Sequence, residues 1–272
     1  MSLPTQRSSG HRARKRFGQN FLVSESVIRN ILQVLNPKDG DQIIEIGPGL
    51  GALTKPLIET DANICAIELD RDLADRLNQQ FGEKGNFQLL NQDVLKVDLE
   101  SIFPTDARLR IIGNLPYNIS TPILFHLLNH TDRIEDMLFM LQREVVERMS
   151  AEPSTSDYGR LSVMIQYRCE VESLISVPPG SFDPPPKVHS AVVRLRPRNP
   201  EPKAVSEEAL DTIVRSAFGN RRKTLRNSLR NELDADSMEK LGIDPGLRPE
   251  NLSVSDFVKL ANCACKNDTH TR

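Results

Sequence analysis

Between residues 41 and 141, short apolar runs alternate with longer segments of helical spacing, and this constrains the fold more than any other feature. The runs QIIEIG, NICAIE, FQLLN, LRIIGN and DMLFML are rich in Ile and Leu, as expected of strands buried on both faces. Between them, TKPLIET, RDLADRLNQQF and STPILFHLLNH repeat apolar residues at helical intervals. Such strand–helix alternation predicts an α/β fold with a parallel, doubly wound sheet. After residue 160, VESLISV and VHSAVVRLR flank the stiff loop PPGSFDPPPK, which suits a hairpin at the sheet edge. RPRNPEPKAVSEE then reads as a linker, and the chain beyond it breaks into short helical stretches. The expected organisation is a ligand-binding α/β domain over residues 1–200 and a small all-helical domain over 201–272.

The segment IIEIGPGLGALT runs from a strand through a glycine-rich turn into a helix. Gly47, Gly49 and Gly51 allow a tight turn and close approach of backbone to ligand, and the helix start offers its amides. Glu68 lies 21 residues after Gly47, at the end of the second strand, where a carboxylate can accept the hydroxyl protons of a ribose. Asp93 ends the third strand and suits an adenine amino group. An adenosine derivative is the expected ligand. Because Gly47, Gly49 and Ala52 also satisfy the dinucleotide pattern GxGxxA, an NAD enzyme remains an alternative at this point.

The fourth strand leaves through GNLPYN. Asn before a nearby Pro is ordinary turn chemistry, but a Tyr in the same turn wants a flat or apolar partner. In a doubly wound sheet the carboxyl ends of the strands form the ligand crevice, so Asn114 would open beside the glycine loop. Hydride transfer has no use for an amide and an aromatic ring here. Methylation of an exocyclic amino group does: an Asn oxygen and a backbone carbonyl can each accept one amino hydrogen, while Tyr117 stacks on the base and Pro116 stiffens the corner.

The chain carries 35 basic and 37 acidic residues, for a net charge of −2, yet the charge is unevenly placed. Arg7, Arg12, Arg14, Lys15 and Arg16 precede the first acidic residue, Glu25, and residues 215–230 carry Arg215, Arg221, Arg222, Lys223, Arg226 and Arg230 without an Asp or Glu. Setting these eleven aside leaves a balance of −13. Two basic segments on an otherwise acidic chain suit a polyanion such as nucleic acid. In RRKTLRNSLRNEL, Leu225, Leu229 and Leu233 recur every fourth residue, as do Arg222, Arg226 and Arg230, which predicts a helix with one buried row and one solvent-facing row. Arg222, Lys223 and Arg226 are the candidate contacts to a nucleic-acid backbone. The four cysteines (Cys65, Cys169, Cys263, Cys265) form no CxxC pair and have no His at zinc-like spacing, so no metal is expected and a reduced, cytoplasmic setting fits. No apolar stretch approaches membrane length.

At RKRFGQNFL, EIGPGLGALT, ELDRDLA, GNLPYNISTP, YGRLSV, PPGSFDPPPKVHSAVVRL, RRKTLRNSL and GIDPGLRPENLS the sequence resembles the ribosomal RNA adenine N6-dimethyltransferases, in particular the bacterial branch associated with kasugamycin resistance. The resemblance spans residues 11 to about 262. It implies a class I methyltransferase fold with a small helical C-terminal domain and S-adenosylmethionine as cofactor. It further implies a substrate of two adjacent adenosines in the 3′-terminal hairpin of 16S ribosomal RNA, met on the 30S subunit or its precursor by a monomeric enzyme. Carried over by motif, Asn20, Leu22, Gly47, Gly49, Glu68, Asp93 and Asn114 would bind the cofactor. Asn114, Leu115, Pro116, Tyr117 and Phe182 would form the catalytic set, with Phe182 as the second face of an aromatic sandwich around the target base. Two other readings carry over less of the sequence: a non-catalytic nucleic-acid-binding relative, and a resistance methylase acting on large-subunit RNA.

Overall fold

Each apolar run between residues 41 and 141 is a strand of one sheet. The computed structural model describes residues 19–104, 106–220 and 222–270; the basic run from Arg7 to Arg16 and Arg221 lie outside the described residues. In chain order the elements are β1 (Phe21–Leu22), α1 (Glu25–Leu35), β2 (Gln42–Ile46), α2 (Thr54–Ile58), β3 (Asn63–Ile67), α3 (Arg71–Phe81), β4 (Phe87–Leu90), β5 (Leu109–Asn114), α4 (Ser120–Leu128), β6 (Ile134–Gln142), α5 (Arg143–Ser150), α6 (Arg160–Arg168), β7 (Cys169–Val177), β8 (Phe182–Asp183), β9 (Ser190–Pro197), α7 (Glu207–Phe218), α8 (Leu225–Ser228), α9 (Ala235–Lys240) and α10 (Val254–His270).

The main sheet has seven strands in the order β4-β3-β2-β5-β6-β9-β7. The five from β4 to β6 are parallel; β9 and β7 join antiparallel, as the hairpin expected around the Pro-rich loop. A two-residue antiparallel pair, β1 with β8, lies apart from it. Side chains alternate between faces along each strand. Ile43, Ile112, Leu138 and Val192 enter one apolar layer with α1, while Ile44, Ile111, Phe139 and Val193 enter the other. Each such side chain, fully buried, contributes about 1.5–3 kcal/mol. In α1, Val27, Ile31 and Leu35 form the buried stripe, as a spacing of four residues dictates.

Burial on both faces holds for the inner strands but not for β4. It is an edge strand whose residues are half-buried or exposed, because only β3 flanks it. A second feature that apolarity hid lies in β5 and β6, where Arg110 pairs in register with Asp136. The Arg110 guanidinium donates from Nε to Asp136 Oδ1 and from Nη2 to Oδ2 (both 2.9 Å), from Nη1 to Asp41 Oδ2 (2.8 Å) and from Nη2 to the Leu35 carbonyl (2.7 Å). These carboxylates hold the buried guanidinium protonated.

The helices after residue 206 pack on α6. Leu210, Ile213 and Val214 of α7 and Phe257, Val258 and Ala261 of α10 join the apolar layer that also holds Ile44 and Phe139. Arg160 of α6 pairs with Asp211 of α7 (2.7 Å), Arg168 pairs with Glu207, and the Ala204 amide donates to the Tyr167 hydroxyl (2.9 Å).

The helix expected over residues 222–233 is a correction. Only α8, from Leu225 to Ser228, is helical there; Arg222 and Lys223 lie in a turn before it. The Leu225 and Arg226 amides donate to the carbonyls of Leu247 and Pro245 (2.8 and 3.0 Å), so tertiary partners replace the first rungs of a helix, and Leu229 leaves helical geometry at φ −108°. The pattern of exposure survives: Leu225, Leu229 and Leu233 are buried, while Arg222, Lys223, Arg226 and Arg230 are exposed.

Candidate active site

The strand order reverses between β2 and β5, since β2 leads outward to β3 and β4, and β5 outward to β6. At such a switch point the connections after the two strands part and leave a crevice at their carboxyl ends. That crevice is a cavity of about 310 Å³ lined by the turn after β2, the ends of β3, β4 and β5, and residues 19–22. The size suits a small-molecule site.

Gly47, Gly49 and Gly51 take φ of +67°, +60° and +83°, backbone that a side chain would strain. A Cβ on Gly49 would also stand 3.1 Å from Phe21 Cδ1, so the turn and β1 close on each other only because it is glycine. Gly113 matters for another reason: a Cβ there would meet the Ile46 carbonyl at 2.5 Å, so β5 could not bring Asn114 this near the glycine turn. Sequence reasoning passed over Gly113; its place in front of Asn114 was the available signal.

Glu68, 7% exposed, accepts from the Gly49 amide on Oε2 (3.1 Å) and from the Asp70 amide on Oε1 (2.9 Å). Burial raises its pKa, and these two amides oppose the shift. Each carboxylate oxygen has two lone pairs, so these bonds leave acceptor capacity for a ribose hydroxyl. Asp93 lies beyond β4, which ends at Leu90 and not at Asp93 as expected, and it caps the turn over Val94–Lys96 by accepting from the Leu95 amide on Oδ1 (3.1 Å). Asn114 donates from Nδ2 to the Asn20 carbonyl (2.9 Å), committing its amide nitrogen to the 19–22 segment and turning Oδ1 the other way. Gln19 Nε2 donates to Asp70 Oδ2 (3.3 Å), and Phe21 and Leu22 pair with Asp183 and Phe182. Residues 19–22 thus cross the cavity from the end of β3 to β8.

Asn20, Leu22, Gly47, Gly49, Glu68, Asp93, Asn114, Leu115, Pro116 and Tyr117 all line this one cavity. Phe182 is not among the lining residues. It is 3% exposed, in the apolar layer with Leu22, Val27 and Val192, and its backbone pairs with Leu22. Alternation along β8 sends Phe182 inward and Asp183 outward, so the ring packs against the core beneath the Pro-rich loop. Tyr117 meets the first residue of β9 through its hydroxyl, 2.6 Å from Ser190 Oγ.

Three lining residues were missed. Gln19 and Asp70 hold the crossing segment. Glu45, wholly buried in β2, accepts from Thr54 Oγ1 at 2.7 Å. Burial pushes the Glu45 carboxyl up to about 7, with the nearby Glu68 adding to the rise against the Thr54 bond. A carboxylate inside the run QIIEI was the signal for it. With Glu45, Glu68, Asp70 and Asp93 around its rim and floor, and a turn that admits close contact, the cavity fits an adenosine bearing a cationic tail. Among the described residues, no group of three or more His, Cys, Asp or Glu could hold a metal ion, and no helix is long and apolar enough to cross a membrane.

The comparisons with known proteins agree with this geometry. The family model described as ribosomal RNA adenine dimethylase matches residues 10–266. The ribosomal RNA small subunit methyltransferase A of Pseudomonas aeruginosa is 52% identical over 253 residues, covering 93% of this chain and 94% of that one. The protein of the same name from Chromobacterium violaceum is 54% identical over 255 residues, covering 93% and 96%. Among solved structures, a dimethyladenosine transferase from Plasmodium falciparum superposes with a TM-score of 0.74 at 26% identity, covering 88% of this chain and 95% of that one. The 23S rRNA methyltransferase ErmE gives 0.67 at 25% identity, covering 90% and 100%. The doubly wound sheet is therefore that of a class I methyltransferase, and the chain belongs to the ribosomal RNA adenine dimethylase family, whose members use S-adenosylmethionine to methylate adenine in ribosomal RNA.

Proposed function

We propose that this enzyme dimethylates N6 of two adjacent adenosines in the 3′-terminal hairpin of 16S ribosomal RNA, acting as a cytoplasmic monomer on the 30S subunit or its precursor. The observation that carries the reading is Asn114: its nitrogen is bonded to the Asn20 carbonyl, so its oxygen is the atom available to an incoming amino group. Glu68 accepts from the ribose and Asp93 from the adenine of the cofactor. Asn20 and Leu22 border its methionine end beside Gly47 and Gly49. Bound S-adenosylmethionine supplies an activated methyl on a sulfonium, so this chain needs no strong base.

Adenine N6 is a poor nucleophile because its lone pair is delocalised into the ring. Asn114 Oδ1 accepts one N6 hydrogen. The Leu115 carbonyl, next in the same turn, would accept the second. Holding both hydrogens this way would localise the lone pair on the nitrogen and turn it into the cavity where the bound cofactor would supply its methyl, and the proton that N6 then sheds would pass to solvent. Orientation and fixed acceptor dipoles supply most of the acceleration. The target base must leave its stack to reach this depth, and Tyr117 offers it a new face. Arg222, Lys223 and Arg226, all exposed, would grip the RNA backbone from the helical segment after residue 200, which we take as the RNA-binding domain.

The test is methylation of 30S and 50S subunits purified from a strain lacking the protein, followed by primer extension on both large RNAs. Stops at two neighbouring adenosines near the 3′ end of 16S RNA support the reading. Stops confined to 23S RNA would assign the enzyme to large-subunit RNA instead.

A further inference from the structure

Because β9 runs antiparallel to β6, its first residue lies at the edge of the sheet where the parallel strands end. That residue is Ser190, which faces Gln142 of β6 and Val177 of β7 and is fully buried. A buried hydroxyl costs free energy unless it is bonded, and the partner of Ser190 is the Tyr117 phenol at 2.6 Å. The Tyr117 backbone is held separately, by the Leu115 amide on the Met140 carbonyl (3.2 Å) and by Ser120 Oγ on the Tyr117 carbonyl (3.3 Å). Between a fixed backbone and a fixed hydroxyl, the ring has its two torsions set.

We infer that Ser190 is a positioning residue for methyl transfer: its buried hydroxyl pins the tip of Tyr117 so that the ring keeps one face turned to the target base. The inference rests on the proposed stacking role of Tyr117 and adds to it the group that orients the ring. It also gives the Pro-rich loop a second duty. Phe182 docks the loop in the core, and β9 then delivers the hydroxyl to the reaction edge.

The test compares Ser190→Ala, Tyr117→Phe, the double variant and Tyr117→Ala in single-turnover methyl transfer to 30S subunits, with S-adenosylmethionine affinity measured by calorimetry. Ser190→Ala and Tyr117→Phe should each slow transfer about tenfold, the rate equivalent of one lost neutral hydrogen bond. Cofactor affinity should stay unchanged in both. The double variant should be no slower than either single one, because both changes remove the same bond. A role confined to stability would move the melting temperature and leave the single-turnover rate alone. If Ser190→Ala fails to fold, Tyr117→Phe removes the bond from the other side. A wild-type rate in Tyr117→Phe, with Tyr117→Ala slow, overturns the inference and spares the stacking. A wild-type rate in Tyr117→Ala overturns both.

Discussion

Glu45 sits beneath the glycine turn with its carboxyl raised from the usual 4.5 to about 7. Below pH 4.5 it is protonated whether the chain is folded or not. As pH rises from 4.5 to 7 the unfolded chain releases this proton while the folded one keeps it, so the folded state binds more protons and loses stability. Glu45→Gln removes that slope. Urea unfolding of the cofactor-free protein should show the variant gaining on wild type between pH 5 and pH 8, and a constant difference would mean the carboxyl is not so shifted. Phe182 carries a second prediction at this scale. Phe182→Ala leaves a cavity beside Leu22 and Val192 and should cost about 3–5 kcal/mol of stability. Wild-type stability with lost methylation would return the ring to the base. The places of Glu68, Asp93 and Asn114 along the cavity were legible because motif spacing puts them near strand ends. The inward turn of the Phe182 ring was not, because a two-residue strand has no periodicity to reveal which way its side chain points.

The elements built on a repeating pattern were readable in advance, and those fixed by distant partners were not. β2, β3, β5 and β6 announce themselves as apolar runs, and α3 and α4 bury side chains at helical spacing. The segment around α8 announces its burial correctly but not its conformation. Its amides are claimed by the carbonyls of Pro245 and Leu247, far along the chain, and no local spacing encodes that. The charges still face solvent, so the functional expectation stands on exposure rather than on helix geometry. Replacing Arg222, Lys223 and Arg226 by Gln should weaken binding to small subunits and flatten the plot of log K against log salt by roughly 2–3, since each lost phosphate contact removes about 0.7–0.9. Cofactor affinity should not change. Wild-type affinity and slope in the triple variant would remove this segment from the RNA footprint.

For the whole molecule, the sheet order puts chemistry and stability at opposite ends of the same strand. Asn114 closes β5 at the crevice, and Arg110, near its start, is held by Asp136 and Asp41. Arg110→Ala leaves Asp136 with only the more distant Arg194 (3.8 Å) as a cationic partner and should cost up to about 3–5 kcal/mol, read as a lower urea midpoint. The folded variant should bind cofactor normally; weakened affinity in the folded state would show that the two ends are coupled. The alternation of runs made the doubly wound class legible, yet it said nothing of this ion pair, which lies inside a segment that reads as apolar. In the proposed mechanism, methyl transfer depends above all on Asn114 presenting its oxygen to N6. Transfer of tritiated methyl from S-adenosylmethionine to small subunits of a strain lacking the protein tests this most directly. Asn114→Ala should slow the transfer about 100- to 1,000-fold, and an unimpaired rate in that variant would contradict the role assigned to Asn114 and the mechanism built on it.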